Sequence, residues 1–207
     1  MIAPSAPGPV RTAVFIDKDG TLIENVPYNV DPRQLRFMPH APAALAALAD
    51  AGHALVIVTN QSGLARGLFT RTQFAELQAA IEHRLAEEAG VVLTDVVLCP
   101  HAPGLDGRPA CLCRKPSPGL LLRAALRHRI DLSRSWIVGD TLDDVEAGRR
   151  AGCRGILFDS GGETLWRRSP LRTPHALCTD WRDVTRVILA PPSRAAAPPR
   201  RAASLNP

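Results

Sequence analysis

Short apolar runs that end at a polar residue alternate along this chain with longer segments carrying an apolar stripe. Ala13–Ile16, Ala54–Val58, Asp95–Leu98, Trp136–Val138 and Gly155–Phe158 have the length and continuous apolar character of buried strands. Between them, Pro42–Ala51 reads as a helix closed by Gly52. Thr72–Ala89 repeats apolar residues at Phe74, Leu77, Ile81 and Leu85, a helical stripe closed by Gly90. Pro118–Arg129 predicts a helix with Ser117 as N-cap, and Leu142–Ala151 one closed by Gly152. His175–Cys178 and Trp181–Leu189 predict an edge strand and a terminal helix. Strand and helix in strict alternation predict an α/β fold: a Rossmann-like three-layer sandwich whose mostly parallel sheet has helices on both faces.

In such sheets ligands bind beyond the carboxyl ends of the strands. Three of the runs stop at Asp17, Thr59 and Asp140, so these residues, far apart in sequence, are expected at one rim.

The domain expected from this pattern spans 11–189 of the 207 residues. Residues 1–10, with Pro4, Pro7 and Pro9, and 190–207, rich in Pro, Ala and Arg, hold too few apolar side chains to order and read as disordered tails. Arg194, Arg200 and Arg201 are three of the 25 basic residues, leaving 22 against 20 acidic ones in the rest. That near-neutral body and the 4% aromatic content argue against a nucleic-acid binder. There is no apolar stretch long enough to span a membrane and no secretory leader pattern, so a cytoplasmic protein is expected. Lys18 and Lys115 are the only lysines among those basic residues, and both fall inside the segments that follow.

The first segment is Phe15-Ile16-Asp17-Lys18-Asp19-Gly20-Thr21-Leu22. Two carboxylates two residues apart at a strand end can divide labour, one attacking phosphorus and the other moving protons. An ordinary strand end with an Asp-Gly turn has the same composition. Thr59-Asn60-Gln61-Ser62-Gly63 can bind phosphate oxygens, or merely cap a helix. Arg114-Lys115-Pro116 can neutralise a phosphoryl group, or be a solvated basic pair. In Gly139-Asp140-Thr141-Leu142-Asp143-Asp144 the acids suit Mg²⁺, or simply the dipole of a helix start.

Together and in this order, the four segments resemble the haloacid dehalogenase (HAD) superfamily of aspartate-nucleophile phosphohydrolases, over roughly residues 13–160. The resemblance implies Asp17 as nucleophile and Mg²⁺ ligand. It implies Asp19 as general acid/base, with its carbonyl on Mg²⁺, and Asp140 as a further Mg²⁺ ligand supported by Asp144. Thr59 and Lys115 would hold the phosphoryl oxygens.

A second cluster is Cys99-Pro100-His101 followed by Cys111-Leu112-Cys113. Three thiolates and one imidazole make a closed tetrahedral Zn²⁺ site of the structural type, pinning a loop too poor in apolar residues to hold itself. Free thiols or a disulfide are the plainer alternatives. Because the loop ends directly before Arg114 and Lys115, zinc would position those cations. Cys153 and Cys178 stand in apolar surroundings and read as core residues.

The spaces between motifs leave no room for a cap domain. A capless body with this loop, and with Leu64-Ala65-Arg66-Gly67 continuing the second motif, resembles the subgroup that removes the C7 phosphate of D-glycero-D-manno-heptose 1,7-bisphosphate. Histidinol-phosphate phosphatases share the loop and are the alternative. A nucleic-acid 3′-end phosphatase and a non-catalytic zinc module rank below both. The subgroup resemblance implies substrate contacts from Asn25, Val26, Pro27, Tyr28, Thr59, Asn60, Gln61, Ser62, Arg114 and Lys115. Arg114 would meet the distal phosphate as a bidentate fork. The expected partner is a small phosphorylated sugar, the expected state a monomer. Thr141 stands where the family often has Lys.

Overall fold

The computed structural model describes residues 10–104, 109–162, 167 and 169–191. Most of both expected tails lies outside these residues.

The chain runs β1 (Ala13–Ile16), α1 (Ala41–Asp50), β2 (Ala54–Asn60), α2 (Arg71–Ala89), β3 (Asp95–Cys99), α3 (Gly119–His128), β4 (Trp136–Gly139), α4 (Leu142–Ala151), β5 (Arg154–Phe158), β6 (Ala176–Cys178) and α5 (Trp181–Leu189). The six strands form one parallel sheet in the order β3-β2-β1-β4-β5-β6. The chain thus builds outward from β1 to β3 and returns to pair β4 on the other side of β1. The gap between β1 and β4 is the topological switch point, where open α/β sheets place their ligands.

The two-residue alternation of a strand sorts the core into two layers. On β1, Val14 and Ile16 pack with Leu45 and Leu48 of α1, Leu77, Ile81 and Leu85 of α2, and Trp181 and Val184 of α5. Ala13 and Phe15 point to the opposite face, toward Leu120, Leu121 and Ala124 of α3 and Ala147 of α4. The β1 side chains are fully buried. At about 25 cal/mol per Å², a buried Phe or Ile contributes roughly 1.5–3 kcal/mol, which explains why the strand runs are continuous rather than alternating.

Helix starts follow local chemistry. Thr70 caps α2 through a capping box, accepting from Gln73 N–H at 3.2 Å while its own N–H donates to Gln73 Oε1 at 2.9 Å. The expectation for α3 is corrected. Ser117 is not its N-cap, because its hydroxyl donates to the Cys111 carbonyl at 3.4 Å; Pro118 takes the cap position without a side-chain bond. Three strands run one or two residues further than the apolar runs suggest, ending at Asn60, Cys99 and Gly139, where ladder pairing continues past the last buried aliphatic.

Between β1 and α1 the chain makes a short antiparallel return. Ile23 bridges Phe37, and Glu24 N–H donates to the Arg36 carbonyl at 2.9 Å. This return carries residues 25–35 over the rim. Among the described residues no inserted domain covers it.

Candidate active site

Asp17 directly follows β1, and its N–H donates to the Val138 carbonyl of β4 at 2.9 Å, which fixes the register of the switch point. Thr59 lies in β2, and Asp140 follows β4. The three strand ends expected at one rim are therefore on three adjacent strands.

Lys115 enters this rim from the segment after the cysteine loop. Its ammonium is buried and lies 2.5 Å from Asp17 Oδ1, 2.5 Å from Asp144 Oδ1 and 2.9 Å from the Val58 carbonyl, to which it donates. Asp144 Oδ2 accepts from the Thr141 hydroxyl at 2.6 Å. Both Asp144 oxygens are thus engaged, which makes it a positioning group for Lys115. Thr141, the departure from the family pattern, holds it there.

Asp17, Asp140 and Asp144 bring carboxylate oxygens within 4.8 Å of one another. A single ammonium does not balance this charge. Burial, with Asp144 and Asp19 adding to it against the pull of Lys115, pushes Asp17 up to about 7. Burial and the charges of Asp17 and Asp144 push Asp140 up to about 8. Burial works against the Lys115 charge, yet Asp144 and Asp17 outweigh it and hold the ammonium above its ordinary value. Such a carboxylate cluster is the hard, oxygen-rich environment that fits Mg²⁺. With Asp144 engaged on both oxygens, Asp17 and Asp140 are the side chains suited to bind it.

Backbone shape lets the carboxylates approach. Gly20 has φ +76°, and a Cβ there would lie 2.1 Å from Asp140 Oδ2. A Cβ at Gly139 would lie 2.2 Å from Asp144 Cγ. A side chain at either position requires the facing carboxylate to shift.

Asp19 is held at both oxygens, by Lys18 Nζ at 2.8 Å and by Gln61 Nε2 at 2.9 Å. The same Gln61 nitrogen donates to Thr59 Oγ1 at 2.8 Å, so one amide ties β2 to the segment after β1. Beside Asp19 opens a cleft of about 290 Å³ lined by residues that include Asn25, Pro27, Tyr28, Asn60, Gln61 and Ser62. Six of the ten residues singled out for substrate contact thus line one cleft, while Thr59 and Lys115 do not line it. Val26 does not line it and is exposed. Nor does Arg114, whose Nη1 donates to the His101 carbonyl at 3.1 Å. Lys18, Asn29 and Gly63 also line the cleft and were not singled out from the sequence. For Lys18 the signal was present, since the two lysines of an arginine-rich chain both fall in motifs.

The cysteine loop closes on itself as its spacing suggests. Cys99 Sγ lies 3.5 Å from His101 Nδ1, 3.6 Å from Cys111 Sγ and 3.2 Å from Cys113 Sγ. Cys113 Sγ lies 3.3 Å from both His101 Nδ1 and Cys111 Sγ. Four soft donors around one point, at near-equal separations, fit a tetrahedral Zn²⁺. Burial pushes the Cys99 thiol up to about 12. At Cys111 burial is outweighed by donors, chiefly the Arg114 N–H at 3.3 Å, and the thiol falls to about 7. That N–H links the loop to the cationic pair. Cys153 and Cys178 are buried in the core.

The switch-point carboxylates and the lysine among them are those of a HAD-like hydrolase, and the HAD-hydrolase-like family model matches residues 112–184. The chain is 40% identical over 157 residues to the D-glycero-beta-D-manno-heptose-1,7-bisphosphate 7-phosphatase of Haemophilus ducreyi, covering 75% of this chain and 86% of that one. Against the enzyme of the same name from Rhodopseudomonas palustris it is 39% identical over 158 residues, covering 75% and 87%. The crystal structure of D,D-heptose 1,7-bisphosphate phosphatase from B. bronchiseptica, complexed with magnesium and phosphate, superposes with a TM-score of 0.75. It shares 33% identity over 86% of this chain and 98% of that one. The chain belongs to this phosphatase family.

Proposed function

We propose that the chain is an Mg²⁺-dependent phosphomonoester hydrolase that removes the 7-phosphate of D-glycero-D-manno-heptose 1,7-bisphosphate through an aspartyl-phosphate on Asp17. The observation that carries this reading is the convergence of Asp17, Asp140 and Lys115 at the switch point, beside a cleft that Asp19 lines.

The residues divide the work. An Asp17 oxygen attacks phosphorus, forming a new P–O bond as the bond to the sugar oxygen breaks. Asp19, steadied by Lys18 and Gln61, gives its proton to the leaving oxygen. It then takes one from the water that attacks phosphorus and releases Asp17. Lys115 and the Thr59 hydroxyl bind the non-bridging oxygens. Asp17 and Asp140, with the Asp19 carbonyl as the family resemblance implies, would hold Mg²⁺, which would supply neutralising charge for the transferring group. Cys99, His101, Cys111 and Cys113 would hold a structural Zn²⁺, which would fix the approach of Arg114 and Lys115.

The test is phosphate release with Mg²⁺ from heptose 1,7-bisphosphate and from histidinol phosphate. A kcat/KM preference of about 100-fold or more for the bisphosphate is expected. Preference for histidinol phosphate would overturn the substrate while leaving the chemistry. Asp17→Asn should abolish turnover and the acid-stable capture of labelled phosphate.

A further inference from the structure

The loop after β1 is pinned to itself and to the elements around it. Leu22 N–H and Ile23 N–H both donate to the Lys18 carbonyl, at 3.1 and 3.0 Å, and Gly20 N–H donates to the Ile23 carbonyl at 2.8 Å. Residues 18–23 therefore form one closed unit, and Asp19 lies inside it. From outside, Gln61 donates to Asp19, the Phe74 ring of α2 lies 5.7 Å from the Lys18 ammonium, and Met38 N–H donates to the Leu22 carbonyl at 2.9 Å. The remaining anchor comes from the far end of the chain. Trp181 is the first residue of α5, and its indole N–H donates to the Thr21 carbonyl at 2.8 Å.

This bond is out of reach of solvent. Thr21 and Trp181 are both 0% exposed, and the Thr21 hydroxyl has no hydrogen-bond partner among the described residues, so the carbonyl is where Thr21 is held. The indole is itself fixed on two sides. Its ring packs on Phe158 at the end of β5, with centroids 5.8 Å apart. The start of α5 is set by Asp180, whose carboxylate accepts from Arg182 N–H at 2.7 Å and lies 3.0 Å from His40 Nδ1 at the start of α1. A buried carbonyl that loses its donor finds no water to replace it, so the loop must shift to recover a partner. The loop lies against Asp140 at Gly20, and such a shift changes the spacing between Asp19 and the carboxylates of the rim.

We infer that Trp181 is a positioning residue for proton transfer: through the Thr21 peptide, α5 anchors the loop that aims Asp19 at the leaving oxygen. This rests on the phosphatase reading above and deepens it, by naming a group outside all four motifs on which the acid/base step depends. Trp181 belongs neither to the cleft wall nor to the carboxylate cluster, so its effect passes through the loop alone.

The experiment compares wild type, Trp181→Phe and Val184→Ala on heptose 1,7-bisphosphate and p-nitrophenyl phosphate. kcat/KM covers the steps up to release of the alcohol, in which phosphorus passes to Asp17 and the leaving oxygen takes the Asp19 proton. A sugar alkoxide needs that proton, whereas p-nitrophenolate is a much weaker base and leaves without it. Trp181→Phe keeps a buried ring and removes the N–H. The ratio of kcat/KM for the bisphosphate to that for p-nitrophenyl phosphate should fall about 5- to 50-fold in this variant. That ratio is independent of how much of the protein is folded. Val184→Ala loosens α5 in the same core but leaves the bond, and should keep the wild-type ratio. If Trp181→Phe yields no folded protein, the Trp181 indole N–H resonance of wild type is followed instead, and should shift when Mg²⁺ and inorganic phosphate are added. An unchanged ratio in Trp181→Phe, an equal fall in Val184→Ala, or an unmoved resonance would overturn the role of Trp181 while the phosphatase reading stands. Should the alkyl substrate prove to be histidinol phosphate, it takes the place of the bisphosphate in the ratio. A wild-type enzyme that hydrolyses neither alkyl ester would overturn both.

Discussion

Asn60 bonds both backbone polar groups of Lys115: its Oδ1 accepts from the Lys115 N–H at 3.1 Å and its Nδ2 donates to the Lys115 carbonyl at 3.2 Å. One side chain at the end of β2 thus fixes the peptide that launches the buried ammonium toward Asp17. Lys115 is held from two directions, by Asn60 at its backbone and by Asp17 and Asp144 at its tip.

Asn60→Ala should therefore act through Lys115. Loss of two partly buried hydrogen bonds is expected to cost about 1–2 kcal/mol in stability. It should lower kcat about 10- to 100-fold, because a displaced ammonium no longer meets the phosphoryl group. Denaturant melts and steady-state kinetics check this, with Asn60→Asp, which keeps the acceptor and loses the donor, falling between. A full loss of stability with kcat intact would contradict it.

The cysteine loop makes a second prediction. Cys113→Ser should release the Zn²⁺, lower the melting temperature and reduce kcat at least about tenfold at saturating Mg²⁺. Arg114 donates its N–H to Cys111, so a slack loop moves the cations that follow it. Metal analysis should find one zinc per wild-type chain and none in the variant. A zinc-free variant with wild-type turnover would break the link.

Proton linkage gives a third. Asp17 and Asp140 stand near 7 and 8 in the folded chain against an ordinary 3.8. The folded state therefore holds protons that the unfolded chain releases. This part of the stability is present below pH 4 and is lost as pH rises toward 8. Mg²⁺ binds the deprotonated carboxylates, so its stabilising effect should grow with pH, by at least about 2 °C in Tm between pH 5.5 and 8. The difference with and without Mg²⁺ is the quantity to measure, because Asp31 and Asp180, paired with Arg33 and Arg182, are depressed and push the absolute stability the other way. In metal-free protein at pH 8, Asp140→Asn should melt above wild type. A pH-independent Mg²⁺ shift would refute the linkage.

Glycine geometry gives a fourth. Gly20→Ala and Gly52→Ala both force a positive φ on alanine, at +76° and +88°. Each should cost about 1 kcal/mol from that alone. Only at Gly20 would the new methyl also meet Asp140, so only Gly20→Ala should lose Mg²⁺ affinity and activity. Calorimetric Mg²⁺ titration of the pair isolates the contact; similar Mg²⁺ affinity in both would show that Asp140 can move aside.

Much of this was legible in the chain because the carriers are local. A run such as Ala13–Ile16 announces its strand by being apolar throughout, and Asp17 announces the rim by ending it. The extensions to Asn60, Cys99 and Gly139 were not legible. They depend on partners across the ladder, as when Asn60 pairs with Cys99. The start of α3 misled for a related reason: Ser117 has the chemistry of an N-cap, but the Cys111 carbonyl claims its hydroxyl. Thr141 read as a missing cation and is instead the group that holds Asp144. The Trp181–Thr21 bond joins a helix to a loop 160 residues away, so no local pattern pointed to it.

The pairing of β1 with β4 has a consequence for the order in which the protein becomes competent. Val14 lies beside Trp136, and Ala13 N–H donates to Ser135 Oγ across 122 residues of sequence. Asp17 leaves the ribosome early, in company with β2, while Asp140, its neighbour at the rim, is still unsynthesised. Closing that long loop is slow relative to forming local helices. Onset of phosphatase activity during refolding or translation therefore reports the closing of the sheet at its centre, long after secondary structure has formed at either side.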